Sequence, residues 1–254
     1  MINWIFPIAG KGTRTKEHGK YKPFIDIQGK MMIERCLDNL RAKFSLDDEF
    51  YFVTTEEFEK EFDVTKTLRL ILFEYKVKVI VVSETPPGQA FSVKYAVDAI
   101  KNNDACIIVN CDQLTLFDLP AFVDKCNVLM PLYFTNHGKS CYVEINSAGL
   151  ITFIVEKELV SNYASSGTFI FGSKNLLKSC IEWGIDGLKP FVEELYLGPC
   201  INYVNVSHIG VIMPITTYMK IDLGTDEQIE KYLNYLKTLR INSFSNYETV
   251  GHYE

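Results

Sequence analysis

Three short runs constrain this chain most. FYFV at 50–53, VKVIVV at 77–82 and ACIIVN at 105–110 are apolar almost end to end, and more polar stretches separate them. A strand that is apolar on both faces is buried on both faces. Parallel strands meet that condition, because their crossover helices cover the sheet on each side. The expected class is therefore α/β: a Rossmann-like three-layer sandwich with a mostly parallel, mixed sheet. NWIFPIA at 3–9 adds a first strand, whose ladder should end near Pro7 because proline has no N–H to donate. A helix is expected over 31–41, with Ile33, Cys36, Leu37 and Leu40 on its apolar face. Another is expected over 89–100, carrying Ala90, Val93, Val97 and Ile100.

The pattern changes in the second half. Segments 128–134, 140–146, 150–155 and 166–171 read as strands joined by turns, NSAG being the clearest, and point to antiparallel additions. A short helix is expected after FGSKN. YMKIDLGTDEQIEKYLNYL then passes from strand to a helix over 226–239, with Ile229, Tyr232, Leu233 and Leu236 on one side. Thr225 is placed to cap it, and Gln228 three residues on would complete the box. No linker, internal repeat or heptad seam divides the 254 residues. One domain over 1–254 is the simplest reading, its character changing near 126, with a polar tail at 241–254.

The most distinctive local signal follows the first strand. Gly10-Lys11-Gly12-Thr13-Arg14 leads to Lys22-Pro23, and residues 11–22 hold five cations (Lys11, Arg14, Lys16, Lys20, Lys22) against one acid, Glu17. Glycines let the backbone turn tightly and bring its N–H groups to an anion. Arginine bridges phosphate oxygens with a rigid fork, and lysine adds a mobile point charge. Such a cluster in a chain of net charge −6 points to a polyphosphate ligand. The acidic balance argues against a nucleic-acid partner, which would need many phosphates neutralised. The loop is neither a Walker A sequence nor a dinucleotide fingerprint. Its bland alternative is a surface turn with solvated lysines.

Two acids stand at strand ends. Asp112 follows ACIIVN directly, where ligands collect at the carboxyl edge of a parallel sheet. Asp222 ends the strand in KIDLGT. Carboxylates there suit Mg2+, which takes oxygen donors and keeps waters. The alternative for Asp112 is an aspartate that merely caps a turn. The seven cysteines show no CxxC pair or zinc-type spacing and read as reduced core residues. His18, His137, His208 and His252 show no metal or triad spacing, and no G-x-S-x-G elbow occurs. No apolar run approaches a membrane span. The first residues read as a strand rather than a leader, so a cytoplasmic location is expected.

At PIAGKGTRTKEHGKYKPFIDIQGKMMIERCLDNL, residues 7–40, the chain resembles the sugar-phosphate nucleotidyltransferases, or nucleotide-sugar pyrophosphorylases. Their opening is an apolar strand, AGxGTR, then a lysine beside proline, an apolar strand and a helix. The likeness is greatest to the branch found in bacterial capsule and surface-glycan clusters, with PKPLIDVGGKPMI in this region. Tyr21 and Met31 replace the two other prolines of that phrase, and Lys22 is retained.

The resemblance implies the nucleotide-diphospho-sugar transferase fold. It assigns nucleotide binding to Ala9, Gly10, Lys11, Gly12, Thr13, Arg14 and Lys22, with Pro87, Gly88 and Gln89 of ETPPGQAFSVKYA facing the base. Asp112 of NCDQ and Asp222 of the D-x-G-T phrase would hold Mg2+, and Arg14, Lys22, Asp112 and Asp222 would act in catalysis. Glu156-Lys157, Gly167 of SSGTFIFGS and, more weakly, Tyr142 would meet the sugar phosphate. Ordinary turn and surface readings compete for the base loop and for Glu156-Lys157. A nucleotide-binding half would occupy about 1–126, and a sugar-binding, metal-completing half about 127–240. A homodimer follows by analogy alone, and an appended β-helix domain is not expected.

The expected reaction is in-line attack of a sugar phosphate on the α-phosphorus of a nucleoside triphosphate, with pyrophosphate leaving. Three alternatives stay open: a cytidylyltransferase for a non-sugar phosphorylated alcohol, a glycosyltransferase using a nucleotide sugar, and an inactive nucleotide sensor. Base and acceptor are not legible.

Overall fold

The computed structural model describes residues 1–12, 14–15, 21–136 and 139–248. The first half contributes strands β1 (Ile2–Pro7), β2 (Glu49–Thr55), β3 (Lys76–Val82), β4 (Ala105–Val109) and β5 (Gln113–Phe117). Its helices are α1 (Met32–Leu40), α2 (Glu56–Phe62), α3 (Val64–Ile71) and α4 (Gln89–Ala99). The second half adds β6 (Val128–Phe134), β7 (Cys141–Ile145), β8 (Ile151–Glu156), β9 (Tyr163–Ser165), β10 (Thr168–Phe171) and β11 (Ile212–Asp222). With them come α5 (Lys174–Gly187), the single turns α6 (Leu197–Cys200) and α7 (Tyr203–Val206), and α8 (Asp226–Glu248).

The strands form one mixed sheet in the order β3-β2-β1-β4-β10-β6-β9-β7-β8, and β11 joins β6 to β5. β3, β2, β1 and β4 run parallel, as expected, but β3 forms the sheet border and its 77–82 run is buried only at Val82, because a border strand has no neighbour on one side and its helices cover it incompletely. β10 then pairs antiparallel with both β4 and β6, which accounts for the change of pattern after residue 127. Alternation along each strand sorts the core onto two faces. Ile5, Tyr51, Val53, Cys106 and Ile108 share one cluster with residues of α4 and α5. Trp4, Phe6, Phe50, Phe52, Ile107 and Val109 share the other with α1, α3 and Ile229 of α8.

Local chemistry explains the two departures from the proline-rich phrase. Tyr21 is buried, its hydroxyl bonds Thr54 at 3.0 Å, and its ring stacks on Phe58 of α2 with centroids 4.2 Å apart. Met31 precedes α1, and its N–H donates to the Glu34 carboxylate at 2.7 Å, a bond that proline could not make. β8, at the sheet border, has part of its backbone covered by side chains. Asn202 accepts from the Ile154 N–H at 2.9 Å and donates to the Ile154 carbonyl at 2.7 Å, as a neighbouring strand would.

Several boundaries differ from expectation. β1 ends at Pro7, as expected, but the short strands β5 and β9 were not foreseen, since three to five residues carry too little period. The pair α2 and α3 fills the stretch the sequence left open. The helix after FGS is not short: α5 spans 14 residues and starts at Lys174. α8 runs to Glu248, so helix replaces most of the expected polar tail; residues 249–254 lie outside the described residues. The Gln228 N–H donates to Thr225 Oγ1 at 3.3 Å, but the Gln228 side chain accepts from Gly224 N–H rather than from Thr225.

Gly88 ties the two halves together. Pro87 accepts from the Leu195 N–H at 3.1 Å, and the Ala90 N–H donates to the Leu195 carbonyl at 3.0 Å. Gly88 lies between them at φ +116°, and a Cβ there would fall 2.4 Å from Leu195 backbone atoms. Gly88→Ala is therefore expected to destabilise the fold by about 1–3 kcal/mol from backbone strain alone. A urea titration showing an unchanged midpoint would contradict this packing.

Candidate active site

The carboxyl ends of β1, β3 and β4 lie along one sheet edge, because these strands are parallel. Three expected elements therefore meet there: the loop starting at Ala9, the 84–88 turn entering α4, and Asp112. Ala9 is buried, while Gly10, Lys11 and Arg14 are exposed. A methyl group at Gly10 would meet no atom of the described residues within 4 Å. The loop is held from within, as the buried Thr15 donates its N–H and hydroxyl to the Gly12 carbonyl at 3.2 and 3.1 Å. It is also held from outside: the Asp226 N–H at the start of α8 donates to the Arg14 carbonyl. Thr13, Lys16, Glu17, His18 and Lys20 lie outside the described residues, as does His137.

The structure brings Asp112 and Asp222 to one place. β5 and β11 form an antiparallel ribbon in which Asp222 faces Gln113, the residue after Asp112. The Leu223 N–H then donates to the Asp112 carbonyl at 2.8 Å. A Cβ on Gly224 would lie 3.2 Å from Asp112 Oδ2, so the D-x-G-T turn closes over that carboxylate. Lys22 Nζ binds Asp112 Oδ2 at 2.9 Å. Lys220 Nζ binds Asp222 Oδ1, and Gln113 Nε2 donates to the same oxygen at 3.2 Å.

Two carboxylates, one in the turn before β5 and one at the end of β11, are an oxygen donor set that suits a divalent cation. Among the described residues no cluster of three or more His, Cys, Asp or Glu occurs. Phosphate oxygens and water would have to complete the shell, as magnesium in phosphoryl-transfer sites allows.

Gly88 and Gln89 carry internal structural duties. Besides the packing of Gly88, Gln89 Nε2 donates to Asn110 Oδ1 at 2.7 Å, and Gln89 Oε1 accepts from Leu197 N–H. Gln89 thus links the turn, β4 and the 195–197 segment. Pro87 is exposed. Gly167 sits at φ +85°, and a Cβ there would overlap Gln113 Oε1 at 1.5 Å and Asn110 Nδ2 at 2.9 Å. Glycine is needed at this position for the Gln113 side chain, whatever else approaches. Gln113 Oε1 and the Ser166 hydroxyl are buried and find no hydrogen-bond partner among the described residues.

Glu156 ends β8, and Lys157 follows at φ +62°, a strained conformation for a lysine. Lys157 Nζ donates to Tyr196 Oη at 2.6 Å and lies 4.3 Å from that ring's centroid. Tyr196 in turn donates to Glu194 at 2.6 Å. The hydrogen bond to Tyr196 is the main force holding the Lys157 ammonium above its ordinary range. Burial pushes the Glu156 carboxyl up, only partly offset by Lys157 and the Cys141 thiol. Tyr142 is fully buried in β7, within the packed interior.

Asn110, Gln113, Lys220 and Tyr196 were missed from the sequence. Asn110 lies two residues before Asp112 and Gln113 directly after it, and Lys220 sits two residues before Asp222, so strand periodicity places it on the same face. No such signal marks Tyr196. The cysteines are free and mostly buried, and burial pushes the Cys111 thiol up to about 12.

The raised Glu156 gives a stability test. A carboxyl raised on folding favours the native state fully below its unfolded value of 4.5, and that contribution is lost as pH climbs through the folded value. Glu156→Gln should match the wild type in stability at low pH and exceed it at neutral pH. Parallel stability curves across that range would contradict the burial of an ionisable group here.

Residues 7–118 match the family profile described as the MobA-like NTP transferase domain. No curated protein matches the chain. Among solved structures, a nucleoside-diphosphate-sugar pyrophosphorylase from Vibrio cholerae RC9 superposes with a TM-score of 0.79 at 17% identity, covering 92% of this chain and 100% of that one. A putative glucose-1-phosphate thymidylyltransferase from Bacillus anthracis gives 0.72 at 20% identity, covering 93% and 95%. The inositol-1-phosphate CTP transferase from T. maritima gives 0.69 at 14%, covering 89% and 90%. Residues 7–118 thus carry the MobA-like NTP transferase match, and the chain as a whole has the fold of the nucleotide-sugar pyrophosphorylases.

Proposed function

We propose that this chain transfers a nucleoside monophosphate from a nucleoside triphosphate to a phosphorylated acceptor, most simply a sugar 1-phosphate, and releases pyrophosphate. The observation that carries this reading is the meeting of Lys22, Asp112 and Asp222 beside the glycine loop, at the carboxyl edge of the parallel strands. That is where a triphosphate and a divalent cation would be held together. The NTP transferase match over 7–118 supports the same reading.

The acceptor phosphate is already an anion at neutral pH, so no strong general base is required. The difficulty is to bring two polyanions together in line. Asp112 and Asp222 would hold Mg2+, which when bound neutralises charge on the phosphate oxygens. Arg14 and the amides of the 9–14 loop would hold the leaving pyrophosphate. Lys22, once turned from Asp112 to the α-phosphoryl group, would stabilise its oxygens. Lys157, exposed and held by Tyr196, would grip the incoming phosphate. Pro87 and the turn backbone would face the base. Gly167 and Glu156 would border the acceptor, and Tyr142 would act only through packing.

An acceptor other than a sugar is a second reading, favoured by the fold shared with an inositol-1-phosphate CTP transferase. No helix among the described residues is long and apolar enough to cross a membrane. A capsule-related role remains part of the proposal, carried by the likeness of residues 7–40, and a cytoplasmic location belongs to it on the reading of the cysteines as reduced core residues.

The test is purified protein with Mg2+, the four common ribonucleoside triphosphates and dTTP, and a panel of sugar phosphates and other phosphorylated alcohols. Pyrophosphate release should require an acceptor and yield a nucleotide sugar identifiable by mass. Asp112→Asn should reduce kcat by at least about a hundredfold, the usual scale for losing a group that stabilises transition-state charge. Product only with a non-sugar phosphate would move the enzyme to the second reading, and no release across the panel would count against transfer altogether. Lys157→Ala should raise KM for the acceptor far more than for the triphosphate; equal changes would remove Lys157 from the acceptor site.

A further inference from the structure

Lys220 is placed unlike the other surface lysines. Its side chain is 7% exposed, against 35% for its partner Asp222. Its ammonium contacts Asp222 Oδ1 on one side and lies 4.4 Å from the centroid of the Tyr133 ring on another. Tyr133 is anchored in turn by a 3.0 Å hydrogen bond between its hydroxyl and Ser140. Burying an ammonium is costly unless a carboxylate and an electron-rich ring face it, and here both do. The site has a matching second pair: Lys22 and Asp112 meet at 2.9 Å, with side chains 13% and 20% exposed. Two carboxylates and two ammonium groups leave the four-residue centre with no net charge.

That balance has a consequence for metal binding. An isolated pair of carboxylates attracts a divalent cation strongly at short range. A pair already neutralised by two lysines does not, and the cation would also meet the two ammonium charges. The transfer reading has Lys22 turn from Asp112 toward a phosphate, and no aromatic ring closes over its ammonium in the way Tyr133 closes over that of Lys220 among the described residues. Lys220 lies in a closed position between Asp222 and Tyr133, so its charge stays beside Asp222. An excess of negative charge must therefore arrive before a cation is held well, and a triphosphate supplies it.

We propose that Lys220 is a resident counter-ion that closes the Asp112–Asp222 pair to free divalent cations, so that metal enters as its complex with the triphosphate. Lys220 is thus a positioning residue acting through Asp222. This rests on the metal-assisted transfer reading above.

Mn2+ serves as the probe, its free concentration read by electron paramagnetic resonance near neutral pH with no nucleotide present. Wild type and Lys220→Arg, which keeps the charge, should bind Mn2+ equally weakly. Lys220→Met and Lys220→Gln should bind it at least about tenfold more tightly, and adding Asp222→Asn to Lys220→Met should abolish the gain. Thermal melts establish that each variant is folded, and the two neutral replacements differ enough in polarity for one to be read if the other unfolds. A second arm adds Mn2+ with an equimolar mixture of the five triphosphates and follows water-proton relaxation. Here wild type should form a ternary complex. Neutral variants with wild-type affinity for free Mn2+, alongside an intact ternary complex, would overturn the role of Lys220 alone. Absence of any ternary complex in wild type and variants would overturn the metal reading, and this inference with it.

Discussion

The candidate site depends on one backbone hydrogen bond, from the Leu223 N–H to the Asp112 carbonyl. It extends the β5–β11 ribbon past Gln113 and Asp222 and draws the D-x-G-T turn over Asp112. β11 is also the strand that pairs with β6 in parallel, so it carries the second half of the sheet to the edge where β1 and β4 end. Without that ribbon, Asp112 would cap an ordinary strand end and Asp222 would have no partner across the site. The two acids are far apart in sequence, and this pairing gives them a common address.

Around the ribbon, electrostatics and shape are arranged together. Each acid faces a lysine, and Gln113 spans from Asp222 toward the space above Gly167. Gln89 reaches Asn110 and the 195–197 segment, joining the turn at 84–88 to the side of the sheet where Lys157 and Tyr196 meet. A side chain that makes two or more such bonds has few orientations left, which suits a site where charge must be placed in advance. The glycines at 88 and 167 follow from the same crowding. One admits the Leu195 backbone and the other the Gln113 amide.

Much of the fold was legible because its causes are local. The apolar runs at 50–53 and 105–110 are buried parallel strands, the run at 77–82 is the parallel border strand and is buried only at Val82, and Ile33, Cys36, Leu37 and Leu40 form the inner face of α1. What escaped was either too short to show a period, as with β5 and β9, or too mixed, as with α2 and α3. Among the candidate site residues, Gly10, Lys22, Asp112 and Asp222 stood out because charge or glycine at a strand end is itself a signal. Gln113, Asn110 and Tyr196 are ordinary residue types at unremarkable positions. Tyr142 differs in the other direction: an aromatic residue in a candidate pocket strand is fully buried, as is Val143 beside it, because both faces of β7 are covered there.

The chain by itself determined the α/β class, the cation-rich glycine loop after the first strand and the two strand-end acids. Composition, period and spacing are properties of contiguous residues. Only the tertiary structure decided that Lys22 faces Asp112, that Lys220 is enclosed beside Asp222, and that Lys157 is held by Tyr196. Two of these three pairings join residues distant in sequence. The third, between neighbours on β11, takes its character from burial against Tyr133 of β6. The strength and direction of a charge's interaction depend on distance and on exclusion from water, and packing sets both.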